Sequence, residues 1–269
     1  MMRTVGAAGR GMTMSPLQSV RELSHVSERE QAARFANSWP EPHPETPEPQ
    51  SADNPLRQYF DNVEQGPGIW KWLHYFDLYH HHLQKFVGKH VNIVEVGVYS
   101  GGSMPMWRDY FGKSCQVHGV DIQPECRAYE NDHIKIHIGD QADRNFWRQF
   151  RADVPKVDIL IDDGGHQPYQ QIATLEAMLP HLQPGGVFIC EDIHGIGDGF
   201  TAYCSALVDS LNAVQRTTDR QNIVCRPTGF QAWIRSITCY PYAMVIEKAD
   251  EPMPTLRAPK HGTEWQPFL

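Results

Sequence analysis

From residue 91 onward, short β-branched runs alternate with longer amphipathic stretches, and no other feature of the chain constrains its fold as strongly. The runs occupy residues 91–96, 116–121, 133–138, 157–162 and 187–191. Segments of crossover length separate them, such as the one carrying Tyr169, Ile172, Leu175 and Leu179 at helical spacing. Antiparallel neighbours need only a tight turn, whereas parallel neighbours need a connection of about a dozen residues or more. The pattern therefore predicts an α/β fold: a doubly wound, mostly parallel sheet with helices on both faces. A helix is expected over 200–214. After it, residues 230–240, the turn Pro241-Tyr242 and residues 243–248 read as a closing antiparallel hairpin, unusual for a dinucleotide-binding sheet.

The remainder divides by composition. Residues 1–53 form a tail holding Pro16, Pro40, Pro42, Pro44, Pro47 and Pro49. Within it, residues 15–35 carry a helical pattern with Ser15 as cap, Pro16 in the first turn, and Leu17, Val20 and Leu23 following. Residues 40–49 are an acidic, proline-spaced linker expected to be extended. Residues 54–88 read as a helical entry or lid segment. There Ile69, Trp72, Leu73, Phe76, Tyr79, Leu83 and Phe86 share one helix face, with Gly88 as the stop. Trp70, Lys71, His74 and Tyr75 fall off that stripe, and read either as surface and partial core or as a lid over substrate. His80, His81 and His82 point in different directions and are expected at the surface. The main domain is assigned to 89–250, with 251–269 as a second tail.

With 24 basic and 32 acidic residues the net charge is −8, which argues against a nucleic-acid partner. Nothing approaches the ~20 apolar residues of a membrane helix. Arg3, Arg10 and Arg21 precede no apolar signal core, and the six cysteines are scattered and expected to be reduced thiols. A cytoplasmic protein without a membrane partner is expected, and a homo-oligomer is compatible with the sequence.

Open α/β sheets bind ligands at the carboxyl ends of their strands. The first strand ends in Glu95-Val-Gly97-Val-Tyr-Ser100-Gly101-Gly102-Ser103, a turn that lets backbone approach a ligand. Glu95 would repel a pyrophosphate but suits a cationic sulfonium or amino group. Asp121, ending the second strand, is placed to accept from a ribose diol. Asp140 and Gln141 follow the third strand where an adenine edge is read, or else form a turn with a helix cap. Strands four and five end in Asp162-Asp163-Gly164-Gly165-His166 and Glu191-Asp192-Ile-His194. Neighbouring strands lie ~5 Å apart, so four carboxylates crowd one cleft, repelling by roughly 1–4 kcal/mol per pair. Strand alternation assigns Asp162 to the cofactor side, and Asp163, Glu191 and Asp192 to a divalent cation. An oxygen-only set suits Mg²⁺, with Mn²⁺ or Ca²⁺ as substitutes. His166 is placed as a general base. Helix capping is the alternative for each acid, and His194 reads as an uninvolved loop residue.

Further segments point the same way. Asn54-Pro55-Leu56-Arg57-Gln58-Tyr59-Phe60, Gly68-Ile69-Trp70-Lys71-Trp72, His74-Tyr75-Phe76, Trp107-Arg108, Gly119-Val-Asp121, Gly139-Asp140-Gln141 and Pro184-Gly185-Gly186 join the glycine turn and the two acidic motifs. Together they resemble the macrocin and mycinamicin sugar O-methyltransferase family, especially its rhamnose O-methyltransferase members, over roughly 54–250. The core is shared with cephalosporin hydroxylase-like proteins. The resemblance implies a class I methyltransferase fold, S-adenosylmethionine as donor, Mg²⁺, and a glycosylated natural product as small-molecule acceptor. It implies Asp163, Glu191 and Asp192 as metal ligands and His166 as base. It places Glu95, Gly97, Ser100, Ser103, Asp121, Asp140, Gln141 and Asp162 around the donor. Gly165 departs from the family, where serine is expected. A metal-dependent hydroxylase and a non-catalytic donor-binding protein are the other readings considered.

Overall fold

A computed structural model describes residues 27–42, 53–154, 156–194, 198–213, 215–218 and 222–263. It divides into two units, Met1–Gln50 and Ser51–Leu269. In the first, α1 (Glu28–Ala36) is capped by Ser27, whose hydroxyl accepts from the Glu30 amide while Glu30 returns a bond to the Ser27 amide. The expected Ser15 cap and most of the proline-spaced linker lie outside the described residues.

The second unit begins with α2 (Pro55–Asp61), capped by Asn54, and α3 (Leu73–Leu83). The apolar stripe of the entry segment is therefore not one helix. Its first members, Ile69 and Trp72, precede the helix: residues 62–72, Gly66-Pro67-Gly68 among them, are non-helical, and Trp72 stands half-exposed at the start of α3. Tyr75, expected off the stripe, is buried, because α3 starts only at Leu73 and a partner awaits the Tyr75 hydroxyl. His82 is likewise buried against the Tyr240 hydroxyl, and His80 meets the Tyr110 hydroxyl; of the three histidines only His81 is exposed.

Five parallel strands follow: β1 (Asn92–Val96), β2 (Gln116–Asp121), β3 (Ile134–Ile138), β4 (Val157–Asp162) and β5 (Leu182–Cys190). Between them run α4 (Ser103–Phe111), α5 (Arg144–Asp153) and α6 (Pro168–Met178). The expected β-runs match, except that β5 starts at Leu182 and stops at Cys190, leaving Glu191 beyond its end. A register shift between Val157 and Ile159 absorbs the extra residues around Pro184-Gly185-Gly186. Next come α7 (Gly199–Asn212), β6 (Gln215–Thr218), β7 (Asn222–Arg226), α8 (Gly229–Trp233), β8 (Ile234–Tyr240), β9 (Ala243–Lys248) and β10 (Leu256–Pro259). The hairpin's first strand thus starts four residues late. Thr228 and Gln231 form a capping box that turns Gly229–Trp233 into a helix.

The main sheet has the order β3-β2-β1-β4-β5-β9-β8, with β9 antiparallel to both neighbours. A smaller antiparallel sheet, β10-β7-β6, was not expected from the sequence. One apolar layer under the main sheet contains Phe76, Tyr79, Trp107 and Phe111, and the other contains Trp147, Phe150, Leu175 and Phe200. Each large indole is completely buried and satisfied: Trp107 Nε1 donates to Glu95 and Trp147 Nε1 to the Gln141 carbonyl. The cysteines among the described residues are free, and no described helix is long and apolar enough to cross a membrane.

His118 and His137 sit side by side on β2 and β3, their ring nitrogens 3.2 Å apart and Phe150 edge-on to both. Burial, aided by His137, pushes the His118 imidazole down to about 4. Its folded pKa lies below the unfolded value of about 6.5, so the neutral ring stabilises the fold fully above that pH. That stability is lost as pH falls toward 4, amounting to roughly 3 kcal/mol. His118→Phe is expected to flatten the decline of urea-unfolding stability across this window. An unchanged acid limb in the variant would show that His118 is not its source.

Candidate active site

A cavity of about 900 Å³ opens at the carboxyl ends of β1–β5, near the upper end of the roughly 300–1,000 Å³ typical of small-molecule sites. Its wall combines two chemistries. One end carries Gly97, Tyr99, Asp121, Tyr129, Gly139 and Asp140; the other carries Asp163, His166, Glu191, Asp192, His194 and Trp72.

At the first end the backbone approaches closely. Gly97 has φ +92°, and a Cβ there would lie 2.0 Å from the Asp163 carbonyl oxygen, so only glycine fits. Asp121 is fixed by three amides: Val98 and Tyr99 donate to Oδ2, and Gln123 donates to Oδ1. Asp140 accepts from the Ala142 amide, the turn form anticipated as its alternative role, and still faces the cavity.

Several expected donor-lining residues stand back from this wall. Glu95 is fully buried and accepts from Trp107 and Lys71. Ser103 is buried at the start of α4, and Ser100 lies beside Gly68 in the turn; neither lines the cavity. Asp162 does alternate with Asp163, but it points into the apolar layer under α6. There Oδ1 accepts from Gln141 Nε2 and the Gly164 amide, and Oδ2 has no hydrogen-bond partner among the described residues. Burial pushes this carboxyl up to about 6 against the pull of those donors. Gln141 faces the cavity, yet its side chain is committed elsewhere. Nε2 donates to Asp162 and Thr174, and Oε1 accepts from the Gly165 amide, which holds the Asp163–His166 loop.

The acids at the other end come together as their strand-end positions require. Asp163 N–H donates to Val96 and Glu191 N–H to Asp162, so the residues just past β4 and β5 are locked to neighbouring strands. Yet the cluster is not purely anionic. The Lys71 side chain, 3% exposed, places Nζ 2.6 Å from Asp163 Oδ2, 3.0 Å from Glu191 Oε2 and 3.1 Å from Glu95 Oε1. Burial alone would lower the Lys71 pKa, but Asp163, Glu191 and Glu95 reverse that and hold it well above the usual lysine value. Glu191 is pushed up by burial, opposed by Lys71, and its Oε1 accepts from the Tyr79 hydroxyl. Asp192, with φ +48°, takes Trp72 Nε1 and the Tyr75 hydroxyl on Oδ1.

The consequence is a division of oxygens. Lys71 takes Oδ2 of Asp163, and Trp72 and Tyr75 take Oδ1 of Asp192. The other oxygens, Asp163 Oδ1 and Asp192 Oδ2, face His166 Nε2 at 3.9 and 3.7 Å, too far for hydrogen bonds. These three groups offer ligand atoms within 4.8 Å of one another; the two carboxylate oxygens suit a hard divalent cation, and the imidazole stands beside them. Glu191, the third expected ligand, is turned to Lys71 and Tyr79. His166 sits at φ +55° in the glycine-rich turn, its Nδ1 without a partner among the described residues. His194, expected to be uninvolved, lines the cavity edge-on to His166. Lys71, Tyr79 and the Trp72–Asp192 bond were missed by sequence reasoning. The available signal was electrostatic: a buried acid cluster requires a cation, and Lys71 lies in a motif of its own between two tryptophans.

Comparison with known proteins agrees with this architecture. Residues 94–193 match the family model described as a methyltransferase domain. The chain is 32% identical over 144 residues to the 8-demethyl-8-(2-methoxy-alpha-L-rhamnosyl)-tetracenomycin-C 3'-O-methyltransferase of Streptomyces olivaceus, covering 51% of this chain and 34% of that one. It is 31% identical over 132 residues to the demethylmacrocin O-methyltransferase of Streptomyces fradiae, covering 46% and 33%. The chain thus spans about a third of the length of these relatives. Among solved structures, the mycinamycin-pathway methyltransferase MycE, in complex with Mg, SAH and mycinamycin VI, superposes with a TM-score of 0.59 at 20% identity, over 92% of this chain and 66% of that one. The chain has the class I methyltransferase fold, and over about half of its length its sequence is similar to sugar O-methyltransferases of macrolide and tetracenomycin pathways.

Proposed function

We propose that this chain is an S-adenosylmethionine-dependent O-methyltransferase that acts, with a divalent cation, on a sugar hydroxyl of a glycosylated natural product. One observation carries the reading: Asp163, His166 and Asp192 converge on the same cavity that Gly97, Asp121 and Asp140 line. The names of the relatives support the substrate class.

When bound, the cation supplies Lewis acidity to the acceptor hydroxyl, and the donor supplies the methyl group. Asp163 Oδ1 and Asp192 Oδ2 are the oxygens available to hold the ion, and Glu191 joins them only by giving up a present partner. His166 accepts the proton of the acceptor hydroxyl, its ring held between both carboxylates by the turn that Gln141 anchors. Asp121, fixed by its three amides, orients a ribose diol, and the Gly97 turn brings backbone against the donor. Trp72, stacked on Tyr242 at the cavity mouth, presents an apolar face suited to a sugar ring.

The direct test incubates the purified chain with labelled donor and a panel of rhamnosylated or related glycosides, with Mg²⁺, after EDTA, and after Mg²⁺ restoration. A +14 mass product that disappears with EDTA and returns with Mg²⁺ is expected. Undiminished transfer after thorough chelation, or a +16 product, would overturn the reading.

A further inference from the structure

Every acid expected to hold the cation is also held by the entry segment. Lys71 bonds Asp163 and Glu191, Trp72 and Tyr75 bond Asp192, and Tyr79 bonds Glu191. Both oxygens of Glu191 are committed in this way, one to an ammonium and one to a hydroxyl. Lys71 stands between Trp70, 85% exposed, and Trp72, 51% exposed, both on the cavity wall. The only covalent distance between the ion-pairing group and the mouth of the cavity is therefore one residue in each direction.

We propose that Lys71 is the resident cation of this site and a positioning residue for the reaction, competing with the divalent ion for Glu191 and Asp163. This deepens the metal-assisted reading and rests on it. A divalent ion that takes Glu191 as ligand draws on the oxygen Lys71 holds, so the ammonium withdraws and carries the Trp70–Trp72 edge of the cavity with it. Ion loading and the shape of the acceptor entrance are thereby linked. Two effects oppose each other when Lys71 is removed. Asp163 loses one orienting hydrogen bond, which weakens ion binding; two buried carboxylates and the half-buried Asp163 lose the ammonium they share, which strengthens it. The charge effect dominates, because an ammonium touching Asp163 repels a dication at that same carboxylate in a water-poor pocket.

The test measures Mn²⁺ binding by titration calorimetry and electron paramagnetic resonance in the wild type, Lys71→Met, and Lys71→Met combined with Glu191→Gln. Lys71→Met is expected to bind Mn²⁺ at least about tenfold tighter, and the double variant to return to within about threefold of wild type. In parallel, reductive methylation of wild-type lysines is read by mass spectrometry. Lys71, protected by burial, is expected to react at least several-fold faster when Mn²⁺ is added. Equal or weaker Mn²⁺ binding by Lys71→Met overturns the proposal, as does Lys71 labelling indifferent to Mn²⁺. If Lys71→Met lacks a cooperative melt, the labelling of the wild-type chain decides alone. The two readings fail separately. EDTA-resistant methyl transfer defeats metal assistance, whereas tighter Mn²⁺ binding by Lys71→Met together with Mn²⁺-dependent labelling of wild-type Lys71 would still establish the competition.

Discussion

Asp163→Asn is expected to lower methyl transfer on the order of 10³-fold, about 4 kcal/mol of transition-state stabilisation, while S-adenosylhomocysteine binding stays within about threefold of wild type. The amide keeps the shape of the carboxylate and can still accept a hydrogen bond from Lys71. It cannot supply the negative charge that an ion needs, nor steady a protonated His166 from 3.9 Å. The fold should persist, because Lys71 retains Glu95 and Glu191 as partners, and the donor end of the cavity is untouched. Single-turnover methyl transfer and calorimetry with the demethylated donor separate these effects. Parallel loss of both would assign Asp163 a structural role, and full activity would remove the metal from the mechanism.

Gly97→Ala should do the reverse and act first on the donor. The added methyl would stand 2.0 Å from the Asp163 carbonyl oxygen and 2.7 Å from its carbon, against backbone that is itself bonded to β1 through Val96. A φ of +92° adds strain for any L side chain, about 1–3 kcal/mol before the clash is counted. The strand ends can relieve it only by separating, which moves the Gly97 turn and the Asp163 loop together. Donor affinity is expected to fall by about 100-fold or more, and the melting temperature by roughly 5–10 °C. Native donor affinity in this variant would mean that the turn does not contact the donor.

These two residues illustrate what local sequence can determine. Gly97 and Asp121 are legible because a strand pattern, a glycine turn and an acid at a fixed interval are all short-range signals. Asp163 and Asp192 are legible for the same reason: the period-two runs end beside them, and a parallel sheet places those ends side by side. The break in the entry segment is legible too, in Gly66-Pro67-Gly68, just before the apolar spacing that starts at Ile69. The smaller β10-β7-β6 sheet has no such signature, since its strands are short and β10 reaches β7 from beyond the closing hairpin.

The amino-acid sequence by itself determined the doubly wound sheet, the closing hairpin and the strand-end position of each acid, because these follow from periodicity and chain connectivity. Only the tertiary structure decided what each acid does. It turned Asp162 into the apolar layer, bound Gln141 to the His166 loop, and brought Lys71 across 92 and 120 residues of chain to Asp163 and Glu191. A buried ion pair between distant segments leaves no local pattern. It exists because uncompensated carboxylates are too costly to bury, and which cation answers them is settled only when the whole chain has packed.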